Sequence, residues 1–274
     1  MADKKQALPM PEFHEKELNW RLRSVASWLA PLVRTLFGLR VRGIEKLPKT
    51  GAYVLVSNHV TNVDPLAVAY FVYKVLGRAP HFLAKEGLFR VPVVGKVLLA
   101  AGQIPVYRTS GNRNDEPLRV AHEYLKHGHT IAIFPEGTLT RDPNLWPMRG
   151  RSGAVRLALD TNVPVFPIAH WGAQEILPRY GSKFRPGFWK RVDVLVGDQI
   201  DLAEFAGRKL SPEEVGVATE RVMASITGLV EELRGEKAPA ELWDPAKQGQ
   251  SATGNFVRGS AKAAGKSSKK GGTK

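Results

Sequence analysis

Three short apolar runs constrain this chain most. Residues 53–56 read Tyr-Val-Leu-Val, residues 130–134 Thr-Ile-Ala-Ile-Phe, and residues 163–169 Val-Pro-Val-Phe-Pro-Ile-Ala. None alternates polar with apolar, as a strand with one wet face must, so each reads as a strand covered on both sides. Further strand candidates fall at 39–42, 81–84, 104–107 and 192–196, and helical stretches at 65–76, 93–101, 116–126 and 152–160 intervene. Ser211-Pro212-Glu213-Glu214 is a capping box with proline at the first helical position, opening a helix that runs towards Gly235. Apolar strands alternating with helices predict an α/β fold: a mostly parallel central sheet covered by helices on both faces.

The first of these strands stops abruptly in Ser57-Asn58-His59-Val60-Thr61-Asn62-Val63-Asp64-Pro65. Ligands collect where strands of an open α/β sheet end, so His59 stands where chemistry usually happens. On a regular helix, residues five apart point roughly 140° away from each other. His59 and Asp64 therefore meet only if the segment between them curls into a turn. A carboxylate on one ring nitrogen would fix the tautomer and leave the other nitrogen to take a proton. Asp64-Pro65 is equally a helix N-cap followed by a favoured first residue, which would leave His59 an ordinary loop histidine. The stretch alone admits both.

A second strand end carries Ile133-Phe134-Pro135-Glu136-Gly137-Thr138. Glycine there lets the backbone approach a ligand closely, and threonine with exposed amides suits phosphate oxygens, although Pro-Glu-Gly is also a common turn. Arg141, Arg149, Arg151 and Arg156 follow, a density of guanidinium groups suited to bidentate phosphate contacts or simply to a solvated loop.

Composition narrows the chemistry. The 274 residues contain no cysteine, which removes thiol nucleophiles, disulfides and thiolate zinc sites. No Gly-x-Ser-x-Gly elbow is present and the seven histidines are scattered, with His122, His127 and His129 grouped at a helix end rather than spaced as ligands. The net charge of +14 is half accounted for by Lys247, Arg258, Lys262, Lys266, Lys269, Lys270 and Lys274 in an acid-free tail. Such a charge suits a phosphate-bearing partner, and a basic tail binds anionic lipid as readily as nucleic acid. The tail holds one aromatic, Phe256, and no helix-turn-helix or zinc-finger pattern occurs, so no nucleic-acid partner is expected.

Domain organisation follows from the same patterns. Residues 1–16 are polar, proline-bearing and expected to be loose. Residues 17–38 form an amphipathic helical segment, bent near Pro31 or split there, with Leu18, Leu22, Val25, Leu29, Leu32, Val33 and Leu36 at three- and four-residue steps. Trp20, Trp28, Arg21, Arg23 and Arg34 give it the character of a membrane-surface segment, though packing on the protein's own core explains the pattern as well. Residues 39–236 make one α/β domain, and 237–274 a disordered basic tail. No run reaches the ~18 apolar residues of a spanning helix and the N-terminus lacks a signal-peptide core.

Taken in order, the motifs carry a resemblance. His59-x4-Asp64 followed by Phe134-Pro135-Glu136-Gly137-Thr138 resembles the HX4D glycerolipid acyltransferases, in particular the 1-acyl-sn-glycerol-3-phosphate acyltransferases. Lys85-Glu86-Gly87-Leu88-Phe89 with Pro92 and Gly95, Gly102-Gln103-Ile104-Pro105-Val106-Tyr107-Arg108, and Val163-Pro164-Val165-Phe166-Pro167-Ile168 look like further blocks of that family, with Gly87, Pro105 and Tyr107 as departures. The resemblance implies direct acyl transfer from a thioester, acyl-CoA or acyl carrier protein, to the free hydroxyl of lysophosphatidate, giving phosphatidic acid. It implies His59 as general base oriented by Asp64, and no cofactor or metal. It suggests a phosphate cradle of Arg108, Glu136, Gly137 and Thr138. A glutamate beside phosphate is repulsive, so Glu136 is expected to bond a glycerol hydroxyl or orient a cation such as Arg108. Lys85 is a further substrate-binding candidate, and so is Arg151, because Arg151-Ser152-Gly153-Ala154 looks like the family's Lys-x-Gly-Ala. Glycerol-3-phosphate or another lysolipid is an alternative acceptor. The implied place of work is the cytoplasmic face of the cell membrane, with the protein held peripherally on an anionic surface.

Overall fold

The computed structural model describes residues 8–106, 116–181, 183–185 and 190–250, without the side chain of Leu36. Seven strands form one sheet: β1 (Phe37–Arg42), β2 (Tyr53–Ser57), β3 (His81–Lys85), β4 (Ile104–Val106), β5 (Thr130–Ile133), β6 (Val165–Trp171) and β7 (Lys190–Val196), in the order β1-β7-β6-β2-β5-β3-β4. Every neighbouring pair is parallel except β6 with β7. The helices are α1 (Trp20–Leu36), α2 (Asp64–Phe71), α3 (Glu86–Phe89), α4 (Pro92–Ala100), α5 (Glu116–Lys126), α6 (Gly153–Thr161) and α7 (Pro212–Arg234).

The apolar strands are covered on both faces, as their composition requires. In β2, Val54 and Val56 pack in one cluster with residues of α5, α6 and α7. Tyr53 and Leu55 point the other way, into a cluster with Val68, Phe71 and Val72. Val33 of α1 and Phe37 join Ala67 and Val192 in a third cluster, so α1 packs on the domain. α7 opens with the capping box, Ser211 and Glu214 each bonding the other's backbone, and closes at Gly235 with φ 67°.

Topology fixes where a site forms. From β2 the chain crosses by α2 towards β3, and from the adjacent β5 it crosses by α6 in the opposite direction to β6. Connections that diverge from neighbouring parallel strands leave a crevice at the strands' C-terminal ends. Val56 pairs with Ile133, so the two polar turns singled out in the sequence begin side by side.

Four places in the described residues add to the sequence reading. Within residues 8–16, Phe13 lies 5.8 Å from the Tyr124 ring. Just beyond, Glu17 bonds buried Arg78 at 2.8 Å and the amide of Thr130 at 2.6 Å. Order also continues past 237, where Ala238 and Leu242 pack on the core and the Trp243 carbonyl accepts from the amide of Arg149. The tail beyond 250 lies outside the described residues. The N-terminal segment is a single helix through Pro31, tolerated because both Pro31 and Ser27, whose carbonyl loses its amide partner, face solvent. Finally, α2 gives way at Val72–Leu76 to one wider π turn that ends on Gly77 with φ 65°.

Candidate active site

The turn after β2 curls around one carboxylate. Asp64 Oδ2 accepts from the amides of Val60 at 2.7 Å and Thr61 at 2.8 Å, and lies 2.9 Å from His59 Nδ1. Asp64 is the first residue of α2 and its side chain does not cap that helix; Val63 occupies the N-cap. The carboxylate is fully buried, whereas the His59 side chain keeps 16% of its surface exposed. Bonded to a carboxylate, Nδ1 carries the hydrogen, which leaves the Nε2 lone pair to act as a base. Nε2 has no protein partner among the described residues, and the ring stacks on Phe134 at 4.1 Å.

The second turn grips the first. Glu136 Oε1 accepts from the amide of His59 at 2.8 Å, and Oε2 accepts from the amide of Met148 at 3.1 Å. The amide of Thr140 donates to the His59 carbonyl at 2.7 Å. Both backbone groups of His59 are thus held by the β5 turn. Glu136 is 1% exposed. Its two oxygens accept from backbone amides and frame the site from inside, while Arg108, beside which it was expected, lies outside the described residues.

Cations gather beside Gly137 and Thr138. Gly137 has φ 70°, and a β-carbon there would come within 2.9 Å of Arg151 Cδ and Nε, so only glycine lets that side chain lie across the turn. Arg151 is exposed as a residue, yet the protein around its guanidinium, followed by the charge of Arg141, lowers its pKa from the ordinary value. Arg141 is buried, and Arg179 donates to the carbonyls of Thr140 and Asp142. Burial lowers Arg179 as well, against the opposing pull of Tyr180, Asp142 and Glu136. Tyr180 holds φ 58°, a strained conformation for a bulky residue, and burial raises its phenol.

The other expected site residues fall elsewhere. Lys85 is exposed at the end of β3, two strands from β2, with no hydrogen bond or ion pair to the cluster among the described residues. Arg108 lies outside the described residues. Of the arginines noted in the sequence, Arg149 pairs with Asp244 at 2.8 Å and Arg156 turns to Ser152 of its own turn. Arg179, Tyr180 and His170 were not singled out; the available signal was that all three follow an apolar strand adjacent to β2. No group of three or more acidic or histidine side chains among the described residues is placed to hold a metal.

The acyltransferase family model matches residues 38–171, a span containing both turns. Over that span the chain is similar to the acyltransferases. Among its relatives, a chloroplastic 1-acyl-sn-glycerol-3-phosphate acyltransferase of Brassica napus is 31% identical over 55% of this chain and 42% of its own length. A 1-acyl-sn-glycerol-3-phosphate acyltransferase of Bacillus subtilis is 28% identical over 72% of this chain and 90% of its own. The matches to the plant members thus take in less than half of their length. The crystal structure of the 1-acyl-sn-glycerophosphate (LPA) acyltransferase PlsC from Thermotoga maritima superposes with a TM-score of 0.57 at 25% identity, covering 80% of this chain and 81% of that one. His59 and Asp64 of the H-x4-D pattern are thus hydrogen-bonded to each other in this chain.

Proposed function

We propose that this protein transfers an acyl group from a thioester to the free hydroxyl of 1-acyl-sn-glycerol-3-phosphate, with His59 as general base. The observation that carries the reading is one connected corner. A histidine paired with a buried carboxylate hangs by its own backbone from the turn that also carries Gly137, Thr138 and the arginines. In the reaction, His59 Nε2 takes the hydroxyl proton as the oxygen attacks the thioester carbon. The carbon–sulfur bond then breaks, and the thiolate recovers the proton from Nε2. Such a base is worth about 10²–10⁴-fold, and in-line binding of both substrates supplies the remainder. Arg151, Arg141 and Arg179 supply cationic partners for the acceptor phosphate, and Thr138 a hydroxyl.

Purified protein with lysophosphatidate and labelled acyl-CoA or acyl carrier protein tests this. His59→Ala is expected to lose the transfer by about 10²-fold or more while keeping its melting temperature. Undiminished turnover would refute the base. A panel of glycerol-3-phosphate and other lysolipids with one donor separates the acceptors.

The acceptor is a lipid, and one face of the protein suits a lipid surface. Trp28 is 86% exposed on α1 and Val93 74% exposed on α4, with Trp20, Leu32, Val94 and Val97 exposed on the same two helices. No helix among the described residues is long and apolar enough to cross a membrane. We place this face on an anionic bilayer, with the basic residues of the tail adding about 1 kcal/mol each near the surface. Full-length protein should float with anionic liposomes, and Trp28→Asp with Val93→Asp should largely abolish this. Flotation equal to wild type would exclude the face.

A further inference from the structure

A second imidazole stands behind the dyad. His170, near the end of β6, is wholly buried, and three hydrogen bonds tie it to Asn58, the residue before His59. The His170 amide donates to Asn58 Oδ1 at 3.0 Å, Asn58 Nδ2 donates to the His170 carbonyl at 3.0 Å, and His170 Nε2 meets the Asn58 carbonyl at 2.9 Å. A carbonyl oxygen only accepts, so Nε2 carries the hydrogen. That same Nε2 lies 3.6 Å from Asp64 Oδ2, the oxygen that pairs with His59. The separation is long for a full hydrogen bond. The Nε2–H already donates to the Asn58 carbonyl, so what reaches Asp64 is the dipole of the ring; both side chains are fully buried, and in such surroundings a dipole beside a carboxylate acts more strongly than in water. Nδ1 of His170 and Oδ1 of Asp64 have no hydrogen-bond partner among the described residues, while Nε2 and Oδ2, the atoms that face each other, also bond the Asn58 carbonyl and the donors of the His59 turn.

We infer that His170 is a positioning residue for the acyl transfer: its Nε2–H steadies Asp64 from behind and limits how tightly that carboxylate holds a proton on His59. This rests on the reading of His59 as the base. The Nε2 dipole offsets part of the Asp64 charge. Without it, Asp64 stabilises the imidazolium more, and His59 gives up its proton only at higher pH. Among the described residues, the other titratable group facing the dyad is Glu136, from the turn after β5. Arg179 stands farther out, on the carbonyls of Thr140 and Asp142. The three bonds to Asn58 also fix the backbone leading into His59.

The test compares His170→Phe, which fills the space without a donor, with His170→Gln, which restores an N–H, in rate–pH profiles with lysophosphatidate and acyl-CoA. His170→Phe is expected to lower kcat about tenfold or more with both KM values held within about twofold. It should move the acid limb of kcat/KM upward by about half a pH unit or more. His170→Gln should return the limb and most of the rate. An unmoved limb in folded His170→Phe, or a glutamine variant no better than phenylalanine, overturns the inference. If His170→Phe does not fold, nitrogen-15 spectra of the wild type decide, with ring signals assigned through His59→Ala and His170→Gln. The His170 Nε2 signal must follow the titration midpoint of His59, and a signal indifferent to it overturns the proposal. His59→Ala separates the two readings. If it retains turnover, the base assignment falls and this inference with it; if it is inactive and the limb is unmoved, only the inference falls.

Discussion

Burial pushes the Glu136 carboxyl up to about 8, against the pull of the Met148 and His59 amides and the Thr140 hydroxyl. Asp64 adds its own negative charge in the same upward direction as burial. A carboxyl raised in the folded state contributes stability that is complete below its unfolded value near 4.5 and is lost as pH rises through about 8. Glu136→Ala strands two buried amides, each costing about 1–3 kcal/mol. Chemical denaturation should register that loss. In the acyl-transfer assay kcat should fall while the acceptor KM stays within a few-fold, because the amide of His59 loses its anchor. A rise in acceptor KM alone would instead place Glu136 on the substrate. Sequence could not separate these roles, since a glutamate in a glycine turn looks the same whether its oxygens meet a ligand or a backbone. Asp64 shows a related ambiguity: Asp-Pro at a helix start predicts a cap, but three closer donors in the preceding turn claim the oxygen instead.

At the scale of elements, the turn after β5 depends on one backbone conformation. Gly137→Ala forces a β-carbon into the left-handed region, at about 1–2 kcal/mol. It also presses on Arg151, whose Cδ and Nε lie within 2.9 Å of that position. The variant should melt lower and show a raised acceptor KM with a smaller change in kcat. An unchanged KM would remove Arg151 from phosphate binding. The helices with strong end signals were legible at those ends: α5 ends at Lys126, ahead of Gly128, and α7 opens on its capping box. Elements whose limits depend on partners were less so. β1 begins at Phe37 rather than Leu39 because β7 pairs with it from Lys190 onward. The π turn at Val72–Leu76 has no local signature, for Val-Tyr-Lys-Val-Leu would continue an ordinary helix equally well. Arg179 and Tyr180 stayed hidden for a similar reason: a loop residue's neighbours are decided by the fold, and no periodicity announces them.

For the molecule as a whole, the end of the sheet away from the crevice carries a second set of buried polar groups. His81 stacks on Tyr124 at 4.1 Å and lies 3.0 Å from His129, while His129 reaches the Glu15 carbonyl at 3.1 Å. Burial, with His129 beside it, pushes His81 down to about 4, and burial lowers His129 as well. A histidine lowered on folding contributes stability that is present above its unfolded value near 6.5 and is lost as pH falls through about 4. Thermal melts from pH 8 to pH 4 should therefore show an acid-side loss. His81→Gln should flatten that loss by about 1–3 kcal/mol, and in the difference the common Glu136 contribution cancels. Parallel curves for the two proteins would show that the histidine is not responsible. The parallel architecture and the adjacency of the two turns were legible from apolar strands and motif order. The docking of residues 8–17 was not, because Phe13, Glu15 and Glu17 acquire their partners only once α5 and β5 stand beside them.

The in-register start of the two turns, with Val56 opposite Ile133, has a bearing on recombination with similar acyltransferases. A chimera joined between β2 and β5 would import half of a clasp whose other half, Glu136 reaching the amides of His59 and Met148, comes from the other parent. Crossovers placed before β2 or after Met148 keep that clasp whole, and libraries built with those boundaries should yield more working hybrids than libraries cut between the motifs.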